Sequence, residues 1–183
     1  LLLLYSPGRG DRPNEPIVGR TRLVKMLFLF KEEAFPHFRS HVDIPPDKFY
    51  QFFAWNFGPF SRDVYDDLTF FVLRDFIKTS EVEEEALPES AAEWQAWLDC
   101  APDAADEDLI SEFEEVSFAL TEKGVAFAAE LYENLSAAQR RLLKEFKKRT
   151  CEVGLRALLK YVYENYEQMT DKSQIKEEIL GNG

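Results

Sequence analysis

Apolar residues in this chain recur mostly at helical spacing, broken by two short stretches that read as strands. Leu1–Leu4 is too short for a membrane span or a signal core and reads as the end of a helix whose start is missing. Ser6 to Gly19, with three Pro and three Gly among charged residues, predicts a loop. Leu23, Met26, Leu27, Phe30 and Ala34 then define the buried stripe of a helix capped by Thr21. Arg20, Arg22, Lys25 and Lys31 fall on its solvated side, and Pro36 blocks a straight continuation.

Phe49 to Trp55 holds five aromatics in seven residues and predicts a strand, with Phe49, Phe53 and Trp55 on one face and Phe52 on the other. Gly58-Pro59 forces a corner after it, since Gly tolerates positive φ and Pro keeps the preceding residue out of the helix. Ser61 is a good N-cap, with Asp63 at the positive end of the helix dipole. Val64, Tyr65, Leu68, Phe71 and Val72 form the predicted core face of that helix. Further on, Val116–Leu120 predicts a strand anchored by Phe118, and Thr121 caps a helix carrying Ala126, Phe127, Leu131 and Leu135. Two more amphipathic helices follow from Ser136 and from Val153, the second with Leu155, Leu158, Leu159, Val162 and Tyr166 as its stripe. Gly154 marks the break between them.

Charge changes this picture in one place. The net charge of −12 over 183 residues looks global. Residues 81–115, however, hold fourteen of the 34 acidic residues and no Lys or Arg, leaving 20 acidic against 22 basic elsewhere. The acidity belongs to an insertion at about 79–115, too charged to fold alone and tethered by Trp94, Trp97 and Leu98, with Leu109, Ile110 and Phe113 suggesting a second short helix. The domain reading is therefore 1–135 with this insertion, and 136–183 as a helical extension packed on it.

Candidate chemistry is sparse. Cys100 and Cys151 lie in no CxxC motif and make no disulfide framework, which places the chain in the reducing cytoplasm. His37 and His41 stand four apart with Asp43 nearby, but Pro36 precedes them, so they read as solvent-facing loop histidines and no metal is expected. GxSxG, P-loop and HExxH motifs are missing, and Asp66-Asp67 is the only carboxylate pair worth nominating. The expectation is a non-enzyme with no catalytic residues, no cofactor and no membrane association. Arg140, Arg141, Lys144, Lys147, Lys148 and Arg149 concentrate positive charge on one helix. A solvated or internally paired face ranks first for them, a protein partner second and phosphate tracking on nucleic acid third. At the aromatic corner, Trp55 and Tyr65 read as packing residues, with Phe57, Phe60 and Arg62 turned outward to a partner.

The order of RLVKMLFLF, FFAWNFGPFSRDVYDDL and FALTEKG resembles the Panacea antitoxin domain, most nearly its YwgA-like relatives. The matching residues are Leu23, Lys25, Met26, Leu27 and Phe28, then Ala54, Trp55, Gly58, Pro59 and Tyr65. They cover roughly residues 20–77, with weaker support from Leu120 to Gly124. Phe60 departs from the small aliphatic residue usual after Gly-Pro, and the insertion and C-terminal helices exceed the minimal domain. The resemblance implies a mainly α, α+β fold: a winged-helix-like helical domain with a small β-element. It also implies an antitoxin-like or defence- and mobile-element-associated role, exercised by contact with a toxin or effector from a neighbouring gene. Phe57, Phe60, Arg62 and the acidic Glu83, Glu84 and Glu85 are the candidate contact residues. The alternative is a winged-helix DNA-binding regulator using Arg140, Arg141, Lys144, Lys147 and Lys148. A second copy of the chain is a further candidate partner.

Overall fold

The computed structural model of the chain describes residues 1–39, 45, 48–81 and 116–181. Glu83, Glu84, Glu85, His41, Asp43, Cys100 and the expected tethers Trp94, Trp97, Leu98, Leu109, Ile110 and Phe113 lie outside the described residues. What is described is mainly α-helical with a small antiparallel sheet.

The protein is assembled around α2 (Arg20–Leu29), which follows a one-turn α1 (Leu2–Tyr5) and a short β1 (Ile17–Val18). The sequence predicts a one-sided stripe here. Instead α2 is buried nearly all round, through Leu23, Val24, Lys25, Met26, Phe28 and Leu29. Each such large apolar side chain removed from water contributes about 1.5–3 kcal/mol. Thr21 is not the cap. Gly19, at φ +90°, turns β1 straight into the helix, and its carbonyl accepts from Leu23 N at 3.1 Å. Nor does Pro36 end the segment. A π-turn (Phe30–Ala34) follows α2 and runs into α3 (Phe35–Arg39), which carries Pro36. The wider turn suits a residue that lacks an N–H and whose ring crowds the carbonyl four residues back. Phe30 projects from the π-turn into a ring cluster with Phe38, Phe49 and Phe146 at centroid distances of 5.7, 6.0 and 5.3 Å.

The predicted strand over Phe49–Trp55 is shorter. Phe49 plugs the ring cluster, and only β2 (Phe53–Trp55) is extended. Gly58-Pro59 is not a strand-to-helix corner but the start of a second strand, β3 (Gly58–Phe60), antiparallel to β2. Helix α4 (Arg62–Leu73) follows directly.

A separate three-stranded sheet has the order β1-β5-β4, with β4 at Ile77–Glu81 and β5 at Val116–Leu120. Its registers pair Ile17 with Phe118 and Ile77 with Leu120, all four buried on the core side. Glu81 pairs with Val116, so the residues that flank 82–115 lie opposite each other on neighbouring strands.

Helix α5 (Glu122–Glu133) is capped by Thr121, whose Oγ1 accepts from Gly124 N at 3.0 Å. Of its apolar residues Phe127 and Leu131 are exposed, while Gly124 and Ala128 face in. Helix α6 (Ala137–Glu152) opens on a capping box of Ser136 and Gln139. Gln139 Nε2 also donates to Phe38 O at 3.0 Å, tying α6 to the end of α3. Helix α7 (Leu155–Asn165) buries Leu158, Leu159, Val162 and Tyr163 against α2, and α8 (Lys176–Gly181) packs on α7. Leu143, Phe146, Leu158 and Val162 thus belong to one core with α2 and the sheet. Among the described residues no helix is long and apolar enough to cross a membrane.

Candidate functional site

The β2–β3 hairpin has two chemically different faces, and its register explains both. Phe53 lies opposite Phe60, Ala54 opposite Pro59 and Trp55 opposite Gly58. Successive side chains alternate across a strand, so Phe53, Trp55 and Phe60 share one face and Ala54 and Pro59 the other. The aromatic face points outward. Phe53 is 45% and Trp55 40% exposed, whereas Pro59 is fully buried. Phe60 stands 5.3 Å from Phe53 and 6.1 Å from Trp55, and it continues to Tyr65 on α4 at 5.0 Å. Arg20 lies over the Tyr65 ring at 5.9 Å, and Arg62 is exposed at the start of α4.

The inner face is pinned by buried polar groups. Lys25, 4% exposed, donates from Nζ to Pro59 O at 2.8 Å. Burial without a counter-charge pulls its amine down to about 7. Tyr163 shares a 2.6 Å hydrogen bond with Ser173 Oγ, which donates to Asn56 O at 3.2 Å. Burial pushes the Tyr163 phenol up to about 12. Gln174 N donates to the same Asn56 carbonyl at 2.9 Å. Gly58 is required here twice over. Its φ is +85°, and a Cβ would sit 3.2 Å from Tyr163 Cε2 and 3.7 Å from Lys25 Nζ. The outer aromatics are therefore presented from a hairpin whose backbone is held from behind.

Several predicted placements change. Phe57 is buried at 9% exposure and Trp55 is out, the reverse of the residue-type expectation, because the hairpin turn at Asn56-Phe57 tucks Phe57 into the core. Phe60 is half-buried and Arg62 exposed. Lys25 is no solvated-face residue, and α2's burial on all sides is the reason. Sequence reasoning missed Lys25, Phe53, Tyr163 and Ser173. The one signal for Lys25 was a single cation inside the apolar run VKMLFLF.

The basic helix is largely spoken for. Lys147 is 1% exposed, and its Nζ donates to the carbonyls of Leu4, Ser6 and Glu15, each at 2.8 Å. It cannot reach a phosphate from there. Lys144 pairs with Asp11 at 3.0 Å, Arg141 with Glu145, Lys148 with Glu152 and Arg149 with Glu33. Arg140 is half-buried. The nominated carboxylates Asp66 and Asp67 are exposed, and Asp67 accepts from Tyr50 Oη at 2.7 Å. His37 is exposed on α3, and no group of three metal-ligating side chains occurs among the described residues.

Compared with protein-family models, curated proteins and solved structures, the chain matches none of them.

Proposed function

We propose that this chain is a non-catalytic protein-binding module of the antitoxin-like type, acting in the cytoplasm by direct contact with a protein partner. The carrying observation is the outward aromatic face of Phe53, Trp55 and Phe60, held on a hairpin whose back is fixed by Lys25 and Tyr163. Rigid, half-exposed aromatics flanked by Arg are the residue types that dominate protein interfaces. In this reading the helices and hairpin form a winged-helix-like core of the Panacea kind, and the partner is the product of a neighbouring gene. Arg62 borders the contact, and the negative charge of Glu83, Glu84 and Glu85 suits a basic partner. The burial of Lys147, whose amine is taken up by three backbone carbonyls, favours this reading over DNA binding.

The test is co-purification and calorimetric titration with the neighbouring gene product, comparing wild type with Trp55→Ala and Phe53→Ala. An interface anchor lost to Ala costs about 2 kcal/mol or more, roughly thirtyfold in Kd. Unchanged affinity in both variants, or no complex with wild type and no rescue of toxicity on co-expression, overturns the proposal.

A further inference from the structure

A second site lies away from the hairpin, where α6 and α7 diverge over the π-turn. A pocket of about 280 Å³ opens there. Its floor is Leu29, Phe146 and Leu158, each buried, and Val153 and Ala157 form its wall. A dry cavity of roughly 150 Å³ with such a lining already accepts benzene, so this one has room for a substituted ring. The mouth is marked by Val153 at 37% and Tyr161 at 44% exposure.

The polar groups sit on one side of that mouth. Glu33 reaches it from the π-turn, a local insertion that often marks functional positions. Both of its oxygens are engaged: Tyr166 Oη donates to Oε1 at 3.1 Å, and Arg149 Nη2 donates to Oε2 at 3.4 Å. Arg149 is different. Its side chain is 68% exposed, and among the described residues one of a guanidinium's five donors is placed, at long range, on Glu33. Glu33 therefore holds the guanidinium at the rim, and the capacity left over is for an acceptor. The wall is set independently by Arg22, whose Nη1 donates to Thr150 O at 2.7 Å and Val153 O at 2.9 Å, fixing the end of α6.

We propose that this pocket binds a small apolar carboxylic acid, its ring or chain on Leu29, Phe146 and Leu158 and its carboxylate on Arg149. An amine would have to share the Glu33 oxygens with Tyr166 and Arg149, which already donate one hydrogen bond to each. A sugar or phosphate ester leaves the apolar floor uncovered. Arg149 serves because its planar fork matches a carboxylate in two parallel hydrogen bonds.

The test is titration of the full chain with 3-phenylpropionate, with 3-phenylpropanamide and with acetate, followed by calorimetry and by amide chemical shifts. The acid is expected to bind with a Kd on the order of 1 mM or tighter and to shift the signals of Val153 and Ala157. The amide should bind at least about tenfold more weakly, having lost the charged hydrogen bonds. Acetate, with no apolar body, should not bind. Arg149→Gln, on an exposed side chain, should abolish the preference for acid over amide. Ala157→Phe should block both ligands by filling the wall. Equal affinity for acid and amide, a preference that survives Arg149→Gln, or no binding of the acid up to about 10 mM would each overturn the proposal.

Discussion

Gly124 sits in the first turn of α5, and replacing it with Ala should lower stability where helix propensity alone says it should rise. In an open helix, Gly→Ala gains about 1 kcal/mol. Here the new Cβ would stand 2.0 Å from Phe76 O, 2.9 Å from Phe76 C and 3.2 Å from Leu120 Cβ. The obstacle is backbone, so it cannot rotate away as a side chain would. Helix and turn must separate by more than an ångström, and the contacts that dock them are short. Thr121 Oγ1 donates to Asp75 O at 2.6 Å and Thr121 N to Phe76 O at 3.1 Å. Overpacking costs about 1–3 kcal/mol, and two weakened hydrogen bonds add about 1 kcal/mol each. After the propensity gain, the net loss is about 2–4 kcal/mol. For a chain of this size that lowers Tm by about 4–16 °C, readily seen by calorimetry. A Gly124→Ala protein melting at or above the wild-type temperature would refute the close approach of α5 to the Phe76 carbonyl.

Other perturbations read out other parts of the fold. Lys25 binds its proton more weakly folded, near 7, than unfolded, near 10.5. Its contribution to stability therefore rises with pH between those values, and Lys25→Met should remove that rise from urea midpoints measured at both ends of the window. Lys147→Met leaves three carbonyls without their donor and should cost at least about 3 kcal/mol in urea unfolding. Lys144→Met, which loses one half-exposed pair, should cost under about 1 kcal/mol in the same assay. Ser136→Ala removes the α6 cap and should cost about 1 kcal/mol in the same measurement. Replacing residues 82–115 by a four-residue turn should leave the β4–β5 pairing intact, read as unchanged amide shifts over Ile77–Ser80 and Ser117–Leu120.

Most helices were legible in the sequence because an amphipathic period needs only local information. Thr121 as cap, the strand Val116–Leu120 and the break at Gly154 follow from residue types that tolerate few alternatives. Facing was harder. Alternation correctly put Phe53 and Trp55 together, but it carries no sign, and β3 decides the sign: Pro59 opposite Ala54 presents a flat, donor-poor surface that Lys25 covers. On α5 the small residues Gly124 and Ala128 face inward because the helix approaches the Asp75–Phe76 turn too closely for Phe127 to fit between. An apolar-stripe rule selects the large residue and misses such contacts. Lys25 and Lys147 escaped for a related reason. Cations are assigned to solvent by default, and only tertiary structure reveals carbonyls aimed at them.

The Lys147 clasp also bears on the order in which the chain can be completed during synthesis. The carbonyls of Leu4, Ser6 and Glu15 are synthesised more than 130 residues ahead of their donor. β1 likewise waits for β5. The amino-terminal segment therefore docks in stages, β1 on β5 and Tyr5 on Tyr132 first, and the three carbonyls meet their donor only once α6 has emerged. A nascent chain stalled before residue 147 should therefore leave the stretch from Ser6 to Glu15 more open to protease than the full chain does.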